Sequence, residues 1–265
     1  MPTKLHLVRH AQGYHNLGPE YWSLVDPMLT KEGKRQCLEL SRSFPSKDAI
    51  ELVCASPMRR AIYTGLEAFG SVLQEQQGTK LIALPDLQEV SDFPCDVGSD
   101  IVSLRKEIND ANLPVDLSFV EGDWTSKTGR YEGTLGKLRV RARDARNWLK
   151  NRPEKEIVVV SHGNFLHFLT EDWEDGCKHD ATSWTNVEYR TYEFAEEKNG
   201  SLEQLDDAPL QETTESRHRR GKFNTSPTRE AQKVICEQML IGWAEQGYPV
   251  GTSKESTSVE VIEVE

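Results

Sequence analysis

The chain has 265 residues, 37% hydrophobic and 28% charged, with a formal net charge of -11. That size and balance fit a soluble globular protein of one large or two small domains and exclude a disordered chain. The acidic excess argues against nucleic-acid binding, which needs a basic face, but allows a local positive pocket around a small anion.

No apolar run approaches membrane-spanning length, so no membrane association is expected. Five cysteines (Cys37, Cys54, Cys95, Cys177 and Cys236) are odd in number and scattered. They predict reduced thiols rather than a disulfide frame or a zinc site. The sequence enters its first strand directly after Met-Pro-Thr-Lys without a leader-like segment. The expected location is cytoplasmic, with the nucleus as an alternative.

Leu5-His6-Leu7-Val8 has the length of a strand entering a buried sheet, and Arg9-His10 ends it. Thr30 is a good N-cap for a helix running to about Phe44, where Pro45 stops it. Gly33 in its first turn suits a close backbone approach. Glu51-Leu52-Val53-Cys54-Ala55 reads as the second strand, with Ser56-Pro57 as N-cap and first residue of a helix over 58–69. A third strand is expected over 80–84, ahead of Leu87-Gln88-Glu89. This alternation predicts an α/β fold: a three-layer sandwich with a mostly parallel central sheet and helices on both faces.

The pattern breaks between Ser91 and Gly133, where Phe93, Phe119, Trp124 and Tyr131 stand among polar residues, Gly and Pro. Residues 91–134 are read as an insertion over the sheet edge and a candidate lid, with a surface excursion pinned by its aromatics as the alternative. A helix with a basic face is expected over 135–151. Ile157-Val158-Val159-Val160 is the clearest buried strand, and Ser161-His162-Gly163-Asn164 terminates it ahead of a helix over about 165–169. A strand is expected over 185–194. Residues 1–195 then form the catalytic domain, 196–250 a C-terminal extension with a docking helix over 227–246, and 251–265 a disordered tail.

Ligands of open α/β sheets bind beyond the carboxyl ends of the strands. Arg9-His10, Arg60 and His162 all fall at such ends, giving two cations and two imidazoles on one edge. Imidazole can attack phosphorus, and guanidinium clamps phosphate oxygens with a rigid fork of donors. Glu89 is the carboxylate of the strand-end set, and phosphoryl transfer needs an acid to protonate the leaving oxygen. The chain lacks His or carboxylate clusters at metal spacing, so neither metal nor other cofactor is expected.

At these residues the chain resembles the histidine phosphatase superfamily, in its phosphoglycerate mutase-like branch. The resemblance is carried by Arg9-His10 with Asn16, Leu29-Thr30 with Gly33, and Ser56-Pro57-Met58-Arg59-Arg60-Ala61. Leu87-Gln88-Glu89 and Ser161-His162-Gly163-Asn164 complete it, in family order. It implies that His10 is the phosphorylated nucleophile, that Arg9, Arg60 and His162 hold the phosphoryl oxygens, and that Glu89 is proton donor and then base. Asn16, His15 and Gly163 are the further candidates for binding substrate, and Arg59 is expected to be exposed.

Ala11-Gln12 stand where many members have Gly-Glu. Arg-His-Ala-Gln-Gly-x-His-Asn with Pro94-Cys95-Asp96 is similar to a plant and fungal subgroup. Glu89-Val90-Ser91 departs from the glycolytic mutases. The implied activity is a metal-independent phosphomonoesterase acting on a small phosphorylated substrate through phosphohistidine. A phosphomutase and a catalytically idle phosphate-binding scaffold are the alternatives, and protein partners are left open.

Overall fold

The Ile-Val-Val-Val run lies at the centre of the sheet. The computed structural model describes residues 2–45, 47–75, 79–175, 183–195 and 207–245. Strand β5 (Glu156–Ser161) pairs in parallel with β1 (Lys4–Arg9) on one side and β2 (Leu52–Ala55) on the other. β3 (Leu81–Ala83) and β4 (Val115–Asp116) extend the parallel set beyond β2. β6 (Tyr189–Phe194) lies antiparallel to β1, and β7 (Leu210–Glu212) antiparallel to β6. The order β4-β3-β2-β5-β1-β6-β7 is mostly parallel, with helices on both faces, as the alternation of elements predicts.

Successive side chains of a strand point to opposite faces. Val8, Val53, Ala55, Val158 and Val160 enter one core, against α1 (Lys31–Ser43), α2 (Arg59–Glu75) and α3 (Ile101–Asp110). Leu5, Leu7, Leu52, Cys54, Ile157 and Val159 enter the other, against α4 (Leu135–Lys150), α5 (Gly163–Thr170) and α7 (Arg229–Glu245). Burial on both faces is why β5 is continuously apolar, and each buried Val or Ile stabilises by about 1.5–3 kcal/mol.

The helix starts position the strand-end loops. Thr30 caps α1 by accepting from Gly33 N at 2.9 Å, and its own amide donates to Gln12 O at 2.9 Å. A Cβ on Gly33 would stand 2.2 Å from that same carbonyl oxygen, so only glycine lets α1 approach the loop after β1. Helix α2 begins at Arg59 rather than Met58. Ser56 Oγ accepts from Met58 N at 3.3 Å, while the Arg59 amide donates to the buried Asp26 carboxylate at 2.9 Å. Asp26 also accepts from Ser99 N and Ser99 Oγ, tying the first loop to the insertion.

The insertion is more regular than its composition implies. Asp100 accepts from the amides of Val102 and Ser103 and starts α3, and the chain then adds β4 to the sheet. β6 starts at Tyr189 rather than 185, because a turn closed by Thr185 and Glu188 precedes it. Within the C-terminal extension, β7 joins the sheet and α6 (Thr214–Arg219) follows it. Arg217 and Arg220 pair with Glu212, and Lys222 with Asp175, so these side chains of the basic run are held by carboxylates. Cys236, Met239 and Trp243 of α7 are buried in the second core.

Cys37, Cys54, Cys95 and Cys236 are buried free thiols. Cys177, residues 196–206 and the 251–265 tail lie outside the described residues. Among the described residues no helix is long and apolar enough to cross a membrane.

Candidate active site

Strand register brings the two imidazoles together. Arg9 of β1 pairs with Ser161 of β5, so His10 and His162 stand one step beyond a matched pair of strand ends. Their ring centroids are 5.1 Å apart. The His10 amide donates to Ser161 O at 2.9 Å, and the Ser56 amide to Val160 O at 2.9 Å, so the ends of β1, β2 and β5 are level.

His10 is 1% exposed, and its Nδ1–H donates to the carbonyl of Ala11 at 2.7 Å. That bond leaves the lone pair on Nε2. Burial, then the positive field of Arg60, His15 and Arg9, holds the imidazole well below its usual pKa, so it is neutral. His162 is fully buried and also held well below, by burial and then Arg60. The third imidazole, His15, lies 5.3 Å from His10 and is lowered by burial, Arg60 and Arg9.

Asn16 braces the nucleophile loop. Its Oδ1 accepts from Gly13 N at 3.0 Å and from Asn186 Nδ2 at 3.3 Å, and Asn186 Nδ2 also donates to His10 O at 2.9 Å. Arg9 is half-buried and donates through Nη1 to Trp184 O.

Arg60 is completely buried. It donates through Nη1 to Cys95 O at 2.6 Å and through Nη2 to Asp96 Oδ1 at 2.8 Å. Asp96 Oδ2 accepts from Ser91 Oγ at 2.6 Å. Arg60 Nε and both ring nitrogens of His162 are buried without a partner among the described residues. Buried donors and acceptors of this kind are normally satisfied, so their convergence marks a place for a polar ligand.

The Glu89 carboxyl group meets the start of α5. Oε1 accepts from the amides of Val90 and Phe165 at 3.0 Å each, and Oε2 accepts from Asn164 N at 3.3 Å. Burial first and the Asp96 charge second raise Glu89 to about 7, against the pull of Arg60 and the amides. Gly163 is the first residue of α5, between His162 and these amides. Among the described residues no group of His, Cys, Asp and Glu is arranged to hold a metal.

The structure thus brings His10, His15, Arg60, Glu89 and His162 into one electrostatic cluster with Arg9, and places Asn16 and Gly163 in its walls. Arg59 is not a bare surface residue: its guanidinium pairs with Glu107 of α3 at 2.6 Å. Three residues near the cluster, Asp96, Asn186 and Lys127, escaped the sequence reading. Asp96 was visible there only as part of Pro94-Cys95-Asp96, and the other two carried no local signal.

A mostly parallel sheet with neutral imidazoles and a buried guanidinium at its carboxyl edge defines an α/β enzyme of the phosphoryl-handling class. The profile of the histidine phosphatase superfamily (branch 1) matches residues 5–207. The chain belongs to that superfamily and is a phosphatase of it, a phosphoric monoester hydrolase by class. A phosphoglycerate mutase-like protein of Arabidopsis thaliana is 29% identical over 212 residues, covering 65% of this chain and 75% of its own. Phosphoserine phosphatase 1 of Hydrogenobacter thermophilus is 38% identical over 207 residues, covering 71% of this chain and 88% of its own. The ecdysone phosphate phosphatase of Bombyx mori, solved with tungstate, has a TM-score of 0.50 at 17% identity, covering 77% of this chain and 98% of that one. It shares the fold.

Proposed function

We propose that the chain hydrolyses the phosphate monoester of a small alcohol through a phosphohistidine on His10, with no metal taking part. One observation carries this: a neutral imidazole with Nδ1–H pinned on Ala11 O stands in the same buried cluster as a carboxyl group raised to about 7. Such a pair supplies a nucleophile and an acid at neutral pH.

In the first step His10 Nε2 attacks phosphorus in line with the ester oxygen, and the P–O bond breaks. Protonated Glu89 gives its proton to the departing alkoxide, so the alcohol leaves neutral. The phosphorylated imidazole keeps its Nδ1 proton and carries a positive charge, stabilised by Ala11 O accepting the hydrogen bond from Nδ1–H. In the second step Glu89, now ionised, takes a proton from water as the oxygen attacks phosphorus. The P–N bond breaks, the lone pair returns to Nε2, and phosphate leaves. Arg9, Arg60 and His162 hold the phosphoryl oxygens throughout; the partnerless nitrogens of Arg60 and His162 are suited to that task.

The 38% identical relative makes phosphoserine the first ester to assay. Rapid mixing with substrate and quenching in base should trap a base-stable, acid-labile phosphoenzyme at His10. His10→Ala should form none and turn over no ester; full turnover in that variant overturns the covalent route.

A further inference from the structure

Lys127 reaches the acid from the insertion and has no part in the scheme above. Its ammonium donates to Gln88 Oε1 at 2.9 Å and to the carbonyl oxygen of Glu89 at 3.0 Å. Gln88 is itself pinned, because Nε2 donates to Trp124 O at 2.9 Å and its carbonyl accepts from Arg141 Nη2 at 2.9 Å. Ser161 Oγ donates to Leu87 O at 2.7 Å. Every residue from Leu87 to Glu89 is therefore fastened by a side chain from another part of the molecule, and Lys127 holds the last one.

Both acceptors of Lys127 are neutral, and it forms no ion pair among the described residues. Burial and then the Arg141 charge pull its ammonium down to about 7. A cation desolvated against neutral oxygens is unfavourable for folding, and an apolar chain of similar length would fill the space without that penalty. A strut alone needs no charge here.

What the charge faces is informative. Glu89 lies on the segment it holds, Asp96 in the insertion, Arg60 on α2, Arg141 on α4 and His162 at the head of α5. Of these, Glu89 changes charge during the proposed reaction. It starts as a neutral acid and becomes a carboxylate when the alcohol leaves. The amides of Val90, Asn164 and Phe165 face that carboxylate on one side, and a cation on its own carbonyl favours the same ionised state.

We propose that Lys127 is a positioning residue of the acid, fastening the insertion to the Glu89 main chain and supplying positive charge that stabilises the glutamate formed as the alcohol departs. This rests on Glu89 being the proton donor. It also gives the insertion a part in catalysis.

The test uses the full-length chain and single-turnover phosphorylation of His10 by phosphoserine and by 4-nitrophenyl phosphate. The nitrophenol leaves without a proton, so loss of acid function falls mainly on phosphoserine. Lys127→Met should slow phosphorylation by phosphoserine by about 10–100-fold, the weight of a charge-assisted contact, and that by the aryl ester by less than about threefold. Lys127→Arg, which keeps the charge, should recover most of the phosphoserine rate, and affinity for inorganic phosphate should be unchanged in both.

Equal loss on both esters without rescue by Arg overturns the proposal in favour of a strut. A change confined to phosphate affinity overturns it in favour of a phosphate clamp. Lys127→Gln, which still donates to a carbonyl, serves if the Met variant does not fold, with the same expectations. Glu89→Gln is run alongside. If it lacks the leaving-group dependence, the acid role itself fails; if it shows the dependence and the Lys127 variants do not, only the Lys127 proposal fails.

Discussion

Replacing Asp96 by asparagine separates charge from shape within the cluster. Oδ1 accepts from Arg60 Nη2 at 2.8 Å and Oδ2 accepts from Ser91 Oγ at 2.6 Å. An asparagine fits the same space: its Oδ1 can still accept from Arg60, and its Nδ2 donates to Ser91 Oγ in place of accepting from it, so the negative charge is lost and that one bond reverses. Exchanging a carboxylate for an amide acceptor weakens the bond to Arg60 by about 1 kcal/mol, about fivefold in rate at the pH optimum. The larger effect is on pH dependence. Glu89 is held up by burial and by Asp96, so removing the Asp96 charge lowers its pKa from about 7. The acid must be protonated for His10 to be phosphorylated, so the basic limb of kcat/KM moves to lower pH. Profiles on phosphoserine from about pH 5 to about 9 would read both effects. A basic limb that stays in place, or moves to higher pH, refutes the reasoning.

Arg60→Ala should lower kcat/KM by at least about 100-fold by removing a buried phosphate clamp. Arg59→Ala should keep a near-normal rate and lose about 0.5–1 kcal/mol in urea unfolding, through its part-buried pair with Glu107; the opposite ranking would sink the assignment. Prolonged dialysis against EDTA should leave phosphatase activity intact, and its loss would overturn the metal-free mechanism. Gly33→Ala should destabilise the chain by about 1–3 kcal/mol, because the new Cβ stands 2.2 Å from Gln12 O. Unchanged stability would mean that α1 can retreat from the loop freely.

Legibility followed the range of the interaction. Ile157-Val158-Val159-Val160 is readable as a central strand because burial on both faces removes every polar position. His10 and His162 are readable as neighbours because each follows a buried run, and parallel pairing levels the strand ends. Asp26 could not be read as a cap for α2, since it stands 33 residues before the amide it accepts from. β7 hides in a polar stretch because it is a three-residue edge strand, ordered by its pairing with β6. Asp96 and Lys127 arrive by way of the insertion, whose path over the sheet is set by contacts such as Gln88 to Trp124 O rather than by any periodicity.

Under the proposed mechanism, a phosphate cradle makes opposite demands on its nucleophile and its acid. The Arg60 guanidinium helps to keep His10 unprotonated, which preserves the attacking lone pair. The same charge pulls Glu89 toward its ionised form, which works against the proton it must donate. Burial reinforces this field for His10 and resists it for Glu89, since it favours the neutral imidazole and the neutral carboxyl alike. Asp96 resists it for Glu89 in particular. Paired directly with Arg60, it offsets the cation's field where that field meets the acid, and it adds a repulsion that favours protonation. The pair thus holds the guanidinium in place while keeping the acid charged with its proton. In the role proposed for it, Lys127 on the acid's own carbonyl favours the carboxylate that remains once that proton has gone. Under this mechanism the strand ends supply the phosphoryl chemistry, and the insertion sets the protonation state that lets it begin.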